Sequence, residues 1–363
     1  MPAALPLPAK SKHRKTVALI RALALQVGPG GKLPTVRELS AQLAVAKATV
    51  DDALDLLEAR HEIHRKHGSG IYVQPAIRQR TIGVVFGGDI FSAGYSPFWS
   101  LLFQAIRQQT GERDLRTRAY MDIAGGRPDL GSHHQLVEDL QAERLEALLL
   151  VAPQSGWHDL EFVRNLTIPL VTLDSRDKGW VACFDEKALL RLAAQEVATY
   201  TNHRRVALLG VEPNHESLQL ELQAAGCTTA PLLDWSYLHW VSQLKDPGGF
   251  ETCAHRLVTH LIATEGPEAL PEVIISTEDT MTRGAVTALR DAGISIGTEL
   301  QIVTAENLGS PVLTPYADCL TRIGYDPAEC IRAALGMIEL LIEGGRPTER
   351  MTFIPPRPPI RPQ

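Results

Sequence analysis

The sequence predicts an α/β protein that joins a small helix-rich N-terminal domain to a larger, doubly wound part in two lobes. The first observation is a change of pattern near Thr81. Before it, apolar residues recur at helical spacing; after it come continuous apolar runs such as Ile-Gly-Val-Val-Phe at 82–86. Such runs are typical of strands buried on both faces of a parallel sheet. The second observation is that the runs alternate with helical segments in two successive series, which indicates two βαβ lobes.

Charge is distributed unevenly along the 363 residues, whose net charge is −6. Residues 1–80 contain 13 Lys and Arg against 6 Asp and Glu, a net of +7, and the remaining residues carry a net of −13. A basic domain on an acidic body suits contact with a polyanion at one end of the molecule.

Composition also bears on the compartment. No apolar run reaches the roughly 18 residues of a membrane span, so we predict no membrane association. The five cysteines are widely spaced and contain no Cys-x-x-Cys pair, which favours reduced thiols and neither a disulfide nor a bound metal. At the N-terminus the charges follow the apolar residues, the reverse of a signal peptide. We therefore predict a cytoplasmic protein.

The stretch from Leu33 to Val73 has the pattern of a winged helix-turn-helix domain. Thr35 is followed three residues later by Glu38, the spacing of a capping box that begins a helix. A second helix has one apolar face, and two runs of strand formers then flank a His-Gly-Ser-Gly turn at 67–70. In such domains the second helix enters the DNA major groove. The apolar face is formed by Val50, Ala53, Leu54 and Leu57.

This stretch resembles the DNA-binding domain of the GntR regulator family. The resemblance implies that Arg37 contacts a phosphate, that the second helix reads the major groove of double-stranded operator DNA, and that the wing contacts the neighbouring backbone. It is carried by Leu33-Pro34, Arg37-Glu38-Leu39, Leu43, Val45, Thr49-Val50, Ala53-Leu54, Leu57-Glu58, Gly68-Ser69-Gly70 and Tyr72-Val73. The implied groove residues are Lys47, Ala48, Thr49 and Asp51, and the implied wing residues are His67, Gly68 and Ser69.

The chain departs from the family pattern at two positions of this domain. Asp51 stands where the family has arginine, and Ala46 stands where it has a serine cap. Asp51, Asp52 and Asp55 therefore lie on or near the expected DNA face. Two interpretations stay open: the carboxylates Asp51 and Asp52 favour the positive end of the helix, or Asp51 accepts a hydrogen bond from cytosine N4. A head that has lost strong DNA affinity is a further alternative.

The sequence pattern also predicts the domain boundaries. We expect a disordered leader at 1–11, the winged domain at 12–74, a short extended linker at 75–80 that contains Pro75, and the two-lobed part at 81–363.

The part from Thr81 resembles the effector-binding core of the LacI family, which is similar to periplasmic sugar-binding proteins. The resemblance implies a type I periplasmic-binding-protein fold with a ligand between the lobes, at the carboxyl ends of the strands. It is carried by Ile82-Gly83-Val84-Val85, Ser96-Pro97-Phe98-Trp99, Ile168 to Asp174, His203 to Gly210, Glu278-Asp279, Gly284-Ala285, Ala288-Leu289, Ala292-Gly293 and Leu320-Thr321.

Candidate ligand residues follow these strands. Aromatic rings stack on the C–H face of a sugar, and carboxylates accept hydrogen bonds from its hydroxyls. Two alternatives remain: Asp279 caps the helix expected at Thr280, and Phe98 and Trp99 are core residues. The family's arginine is missing from 211–217, so a sugar or polyol is the leading ligand class and a non-sugar effector the alternative. The candidates are Asp89, Phe98, Trp99, Asp174, Arg176, Trp235, Asp279 and Glu306.

Signatures of catalysis are missing from the sequence. There is no phosphate-binding Gly-rich loop, no Gly-x-Ser-x-Gly and no His-Glu-x-x-His, so we predict no catalytic residues, cofactor or metal. The function predicted is that of a homodimeric, ligand-responsive transcription regulator, the repressor of a carbohydrate operon. An enzyme that uses the α/β cleft is the alternative. We expect dimer contacts near 101–109 and 282–289.

Overall fold

The computed structural model describes residues 11–87, 96–121, 133–151, 160–173, 179–200, 205–212, 214–227, 232–244 and 248–362. Its contacts divide the chain into two compact units. Unit 1 comprises Met1–Asp89, Ile106–Val181 and Arg332–Met351, and unit 2 comprises Ile90–Ala105, Ala182–Ile331 and Thr352–Gln363. The N-terminal domain and the first lobe therefore form one unit. The predicted leader at 1–11 lies outside the described residues except for Ser11, which begins a helix.

The N-terminal domain is a helix-turn-helix with a two-stranded wing, as predicted. Its three strands form one antiparallel sheet in the order β1-β3-β2. Gly68 and Gly70 adopt φ values of 70° and 131° in the turn of the wing, where glycine is favoured. The elements are α1 (Ser11–Val27), β1 (Lys32–Leu33), α2 (Val36–Leu43), α3 (Lys47–Ala59), β2 (Ile63–Lys66) and β3 (Gly70–Val73).

Local sequence explains this arrangement. Thr35 and Glu38 form the predicted capping box, with Glu38 accepting at 2.7 Å from the backbone N–H of Thr35. The expected apolar face of α3 is fully buried and packs on α1 and the wing. This core contains Val17, Ile20, Ala24, Leu33, Leu39, Val50, Ala53, Leu54, Leu56, Leu57, Ile63, Ile71, Val73 and Ile77.

The segment after the wing differs from the predicted extended linker. Pro75–Arg78 forms a 3-10 turn with proline at its start, and the following strand begins at Arg80. The physical reason is Ile77, which has no exposed surface and completes the core of the N-terminal domain. Folding Ile77 into that core requires a turn, because an extended chain would carry its side chain away.

The rest of the chain forms two parallel sheets, which confirms the two predicted βαβ series. One sheet has the order β14-β8-β7-β6-β4-β5 and the other β10-β9-β11-β12-β13. The elements are β4 (Arg80–Phe86), α4 (Phe98–Gly111), β5 (Leu115–Met121), α5 (His134–Gln141), β6 (Ala147–Val151), α6 (Glu161–Arg164), β7 (Leu170–Leu173), β8 (Trp180–Phe184), α7 (Glu186–Ala198), β9 (Val206–Gly210), α8 (His215–Ala224), β10 (Leu233–Ser236), α9 (Tyr237–Val241), α10 (Phe250–Glu265), β11 (Val273–Ser276), α11 (Asp279–Asp291), β12 (Gln301–Asn307), β13 (Thr321–Tyr325), α12 (Pro327–Ile342) and β14 (Met351–Ile354).

The proline-rich C-terminal segment runs along β13, the edge strand of the unit 2 sheet. The backbone N–H of Ile360 donates to the carbonyl of Arg322 at 2.8 Å, and that of Arg322 donates back at 2.9 Å. The Arg357 N–H donates to the carbonyl of Gly324 at 2.7 Å. Prolines lack the N–H needed in a central strand but are tolerated at an edge.

Helix α11 packs against α10 at very short range within unit 2. A Cβ added to Gly284 would lie 2.1 Å from the carbonyl oxygen of Glu251 in α10. The segment 282–289, expected at a dimer interface, therefore faces α10 at Gly284, and most of its residues are buried within the unit. In the described part of the chain, no helix is long and apolar enough to cross a membrane.

Replacing Gly284 with alanine is expected to destabilise unit 2 by about 1–3 kcal/mol, because the added methyl group forces the two helices apart. Gly336 in α12 is the matched control: a Cβ there meets no atom within 4 Å. Alanine at that position should be neutral or stabilise the helix by up to about 1 kcal/mol. Urea unfolding of both variants measures the difference, and equal midpoints would contradict the close approach.

Candidate functional site

The residues predicted to contact DNA are accessible in the N-terminal domain. Arg37 on α2 and both Lys47 and Ala48 at the start of α3 are exposed, and Thr49 is half-buried. At the turn of the wing, His67 and Gly68 are exposed and Ser69 is half-buried. The Ser69 hydroxyl lies 2.8 Å from the Tyr72 hydroxyl, a contact that fixes the wing turn to its own strand.

The start of α3 has no side-chain cap. Ala46 occupies the N-cap with extended φ and ψ of −62° and 147°, and no side chain accepts from the amides of the first turn. A helix N-terminus of this kind can bind a phosphate, because its free N–H groups donate hydrogen bonds to the phosphate oxygens.

The position of Asp51 in α3 bears on its two interpretations. Asp51 is the fifth residue of α3, and the first turn contains no acidic residue. Because the helix dipole acts on charges within the first turn, it gives little stabilisation to Asp51 or Asp52. Both carboxylates are exposed on α3, and the contact of Asp51 with a base stays a prediction.

Asp55, the third carboxylate of this group, is neutralised by the wing. Arg65 on β2 forms an ion pair with Asp55 and another with Glu58, whose Oε2 lies 2.7 Å from Nε. Burial opposes ionisation of Glu58, but the hydrogen bonds from Arg65 outweigh it and lower the pKa of this carboxyl. Arg65 therefore fastens the wing to α3 and offsets one of the two negative charges of Asp55 and Glu58.

The end of α3 is bonded to the first lobe within unit 1. The Arg60 Nε donates at 2.8 Å to the backbone carbonyl of Glu143, which follows α5. Next to it, the buried carboxylate of Glu62 accepts from Arg21 Nε at 2.8 Å, and Arg21 also donates at 2.9 Å to the carbonyl of Ile77. Burial raises the pKa of Glu62, and the charges of Arg21 and Arg60 only partly offset it. The helix expected to read DNA is thus held at its far end by the first lobe.

In unit 2, polar residues meet where β11 and β12 end. The helix after β11 begins at Asp279, not at Thr280, and its N-cap is Glu278, whose Oε2 accepts from the Met281 N–H at 2.6 Å. The expected capping alternative for Asp279 is therefore wrong, because Glu278 has this role. Asp279 is 1% exposed, and its Oδ2 accepts from Asn307 Nδ2 at 3.1 Å. Its buried Oδ1 has no hydrogen-bond partner among the described residues.

Two adjacent buried carboxyls change each other's ionisation at this point. Burial, and after it the charge of the neighbouring Asp279, raise the pKa of Glu278 to about 7. Burial also raises the pKa of Asp279, although the Asn307 side chain lowers it in part. The pair favours one negative charge over two, and a hydroxyl donated to Oδ1 of Asp279 would stabilise that charge.

The remaining predicted ligand residues have varied surroundings. Glu306 is paired with Arg322, whose Nη1 lies 2.8 and 3.1 Å from its two carboxylate oxygens, so a ligand would have to compete with this arginine. Trp235 is 3% exposed and belongs to the unit 2 core, so its ring is not presented for stacking as expected. Asp89, Asp174 and Arg176 lie outside the described residues.

The aromatic pair at the start of α4 is half-buried. The Phe98 and Trp99 rings meet edge to face with centroids 5.3 Å apart, and Phe98 also lies 5.9 Å from the Phe184 ring. Phe184 in turn contacts Tyr325 at 4.6 Å. Phe98 is thus part of an aromatic cluster, which fits the core alternative, while Trp99 stands at its margin.

The sequence analysis missed one cluster in unit 2. Asp234 on β10 lies 3.4 Å from His215 Nε2 and 3.7 Å from His239 Nδ1. Burial opposes ionisation of Asp234, but hydrogen bonds from Ser236 and the two histidines lower its pKa. Its only sequence signal is the loop at 211–217, where His215 stands and the expected arginine is missing. Among the residues that the structure describes, no group of three His, Cys, Asp or Glu side chains is arranged to hold a metal ion.

Comparisons with family models match each part of the chain separately. Residues 16–73 match the model of bacterial regulatory proteins of the gntR family. Residues 199–362 match the model of a periplasmic binding protein-like domain. The chain joins a GntR-type DNA-binding domain to a periplasmic-binding-protein-like domain. This is the architecture of a transcription regulator with a DNA-binding head and an effector-binding domain, as the sequence predicted. No curated protein matches the chain.

Solved structures of LacI-family regulators share the fold. A regulatory protein of the LacI family from Chloroflexus aggregans is 19% identical, covers 77% of this chain and 97% of its own, and gives a TM-score of 0.61. A LacI family regulator from Arthrobacter sp. FB24 in complex with lactose is 17% identical, with coverages of 78% and 98% and a TM-score of 0.59. The Lac repressor bound to ONPG is 15% identical, with coverages of 87% and 89% and a TM-score of 0.61.

The buried pair at the start of α11 predicts that stability depends on pH. In the folded state the pair keeps a proton up to a pH near the raised pKa of about 7. In the unfolded state the same carboxyl loses its proton near the ordinary pKa of 4.5. The free energy of unfolding should therefore fall by a few kcal/mol as the pH rises from about 4.5 to about 7. Glu278→Gln should flatten this part of the profile, measured by urea unfolding at several pH values. Glu268→Gln, at an exposed position, is the control, and an unchanged profile in Glu278→Gln would contradict the assignment.

Proposed function

We propose that this protein is a ligand-responsive transcription regulator, that it binds operator DNA as a homodimer through its GntR-type head, and that its effector is a sugar or polyol. Two of the structural relatives support the choice: the LacI family regulator in complex with lactose, and a Lac repressor dimer bound to operator. The observation that carries the effector assignment is the buried, unpartnered Oδ1 of Asp279 at the end of the unit 2 sheet. A buried carboxylate oxygen without a donor is costly, and a ligand hydroxyl removes that cost.

The proposed DNA contacts follow from charge and exposure. Arg37 would contact a phosphate, and the free backbone N–H groups at the start of α3 would donate hydrogen bonds to a second phosphate. Lys47, Ala48 and Thr49 would lie at base edges. The wing turn would lie on the neighbouring backbone. Asp51 would accept from cytosine N4, which is a base contact that a phosphate-facing carboxylate could not offer.

The proposed response to ligand depends on the bond between the DNA-binding head and the first lobe. We expect ligand to change the relative stability of two states of the effector-binding domain, which shifts operator affinity by the difference in ligand affinity between those states. The bond from Arg60 to the carbonyl of Glu143 would transmit a change in the first lobe to α3. A homodimer would then present two heads to half-sites one helical turn apart. The repressor role in a carbohydrate operon and the domain limits 12–74, 75–80 and 81–363 belong to the same proposal.

Arg37→Ala should weaken binding to specific and non-specific DNA alike, by about tenfold, because a phosphate contact carries no sequence information. The slope of log K against log salt should become shallower by about 0.9. Gel shifts at four salt concentrations measure both effects. Lys187→Ala, which removes an exposed cation from unit 2, is the control. An unchanged salt slope in Arg37→Ala would rule out this contact.

Asp51→Asn separates a base contact from simple repulsion. If Asp51 reads cytosine, the variant should change the preferred sequence in a selection from random operators by about 1–3 kcal/mol at one base pair. Uniform tightening on every sequence, with the preference unchanged, would show that Asp51 only repels phosphate.

Asp279→Asn should abolish the thermal stabilisation that a sugar or polyol gives to the full chain. A saturating ligand at about 100 times its Kd adds roughly 2.7 kcal/mol, which a screen of sugars, polyols and nucleosides detects. Asp291→Asn lies in the same helix at an exposed position and should keep the response. Stabilisation by a sugar that persists in Asp279→Asn would remove this carboxylate from the proposed site.

A further inference from the structure

A second pocket lies in unit 1, where the head meets the first lobe. Its volume is about 530 Å³, within the range of small-molecule sites. It is lined by Arg80 at the start of β4, by Leu145 just before β6 and by Ile168 just before β7. These strands are parallel, so the pocket lies at their amino ends, at the opposite edge of the sheet from the carboxyl ends where effectors bind. It is therefore a different site from that of the proposed effector.

One wall of the pocket belongs to the DNA-binding head. Ala18, Ala22 and Leu25 of α1 line it, on a face of the helix that does not enter the core of the head. Leu25 is 43% exposed, which leaves apolar surface uncovered beside the pocket. Opposite this wall, the end of α12 contributes Ile342. A molecule in this space would contact both the head and the first lobe through apolar surfaces.

The arginines of the pocket differ in whether their side chains have hydrogen-bond partners. Arg21 is bonded to Glu62 and to the carbonyl of Ile77, and Arg60 is bonded to the carbonyl of Glu143. The side chain of Arg80 has no hydrogen bond or ion pair with any residue in the described part of the chain.

The acidic residues of the lining each have a basic neighbour. Glu146 lies 3.9 Å from Arg21, and Glu143 lies 4.0 Å from the ring of His13. With Glu62, which Arg21 and Arg60 share, the cluster has three arginines and three glutamates, and Arg80 is the one arginine whose charge has no carboxylate partner among the described residues. That charge fits a ligand with one negative group, which Arg80 would bind as a bidentate pair.

From this lining we infer that the junction pocket binds a small amphiphilic carboxylate, with its carboxylate on Arg80 and its apolar body between α1 and the first lobe. This site does not depend on the effector proposed for Asp279.

Isothermal titration of the full chain with octanoate tests the inference, with 1-octanol as the uncharged molecule of equal chain length. We expect octanoate to bind with one site per chain and octanol to bind at least tenfold more weakly. Arg80→Gln should weaken octanoate binding at least tenfold. Arg78→Gln is the matched control, since Arg78 is exposed two residues away and does not line the pocket.

A second variant keeps the test decisive if Arg80→Gln unfolds. Ala22→Trp fills the space at the α1 wall while Arg80 stays, and it should weaken the binding of octanoate and of octanol alike, at least tenfold for octanoate. The inference is overturned if octanoate does not bind the wild-type chain, if octanol binds equally well, or if neither variant reduces binding. Operator gel shifts on the same preparations show separately whether the head is active, so failure here leaves the proposed regulator intact.

Discussion

A buried carboxylate, that of Glu62, sets the condition under which the head can attach to the first lobe. It follows directly after α3 and its turn, and almost none of its surface is in contact with water. A buried charge of this kind is tolerated only when it is paired. Arg21 from α1 and Arg60 from the end of α3 supply the pairing, and Arg60 then extends to the carbonyl of Glu143. Removing Arg21 would leave only Arg60, 3.9 Å away, to pair with this buried charge. The orientation of α3 relative to the first lobe therefore depends on one ionic cluster.

A second set of buried carboxyls lies at the start of α11, and the groups that donate hydrogen bonds to it are uncharged. Glu278 and Asp279 are adjacent buried acids that hydrogen-bond to each other when one is protonated, and their other donors among the described residues are Thr280, Met281, Asn307 and Ser310, none of which is a cation. The protein satisfies Glu278 by using it as a helix cap and leaves one oxygen of Asp279 without a donor. This oxygen could accept a hydrogen bond from a ligand hydroxyl, which is why we propose Asp279 as a ligand residue.

Sequence patterns predicted the local features of the structure and missed those that join distant segments. The capping box at Thr35 needs only a three-residue spacing, and the buried run at 82–86 needs only continuous hydrophobicity, so both were visible. The bond between Arg60 and Glu143 joins residues 83 positions apart, and no local pattern encodes it. The pairing of Glu306 with Arg322 was missed for the same reason.

The direction of Trp235 shows a different limit of sequence reasoning. Side chains alternate along a strand, so its direction depends on the register of β10, which pairs Leu233 with Ala207 of β9. The sequence analysis expected Trp235, like the other candidate ligand residues, to follow a strand. In the structure it lies within the strand and its ring packs in the core.

The way in which the C-terminal segment follows β13 has a consequence for solubility. An uncovered edge strand offers a row of free N–H and C=O groups that can recruit a strand from another molecule. Ile360 and Arg357 occupy part of that row on β13, and the prolines between them offer no N–H groups of their own to a newcomer. Arg361 anchors the segment through an ion pair with Glu196, at 2.9 Å. This border of the lobe is closed to sheet extension, which protects the protein from aggregating there.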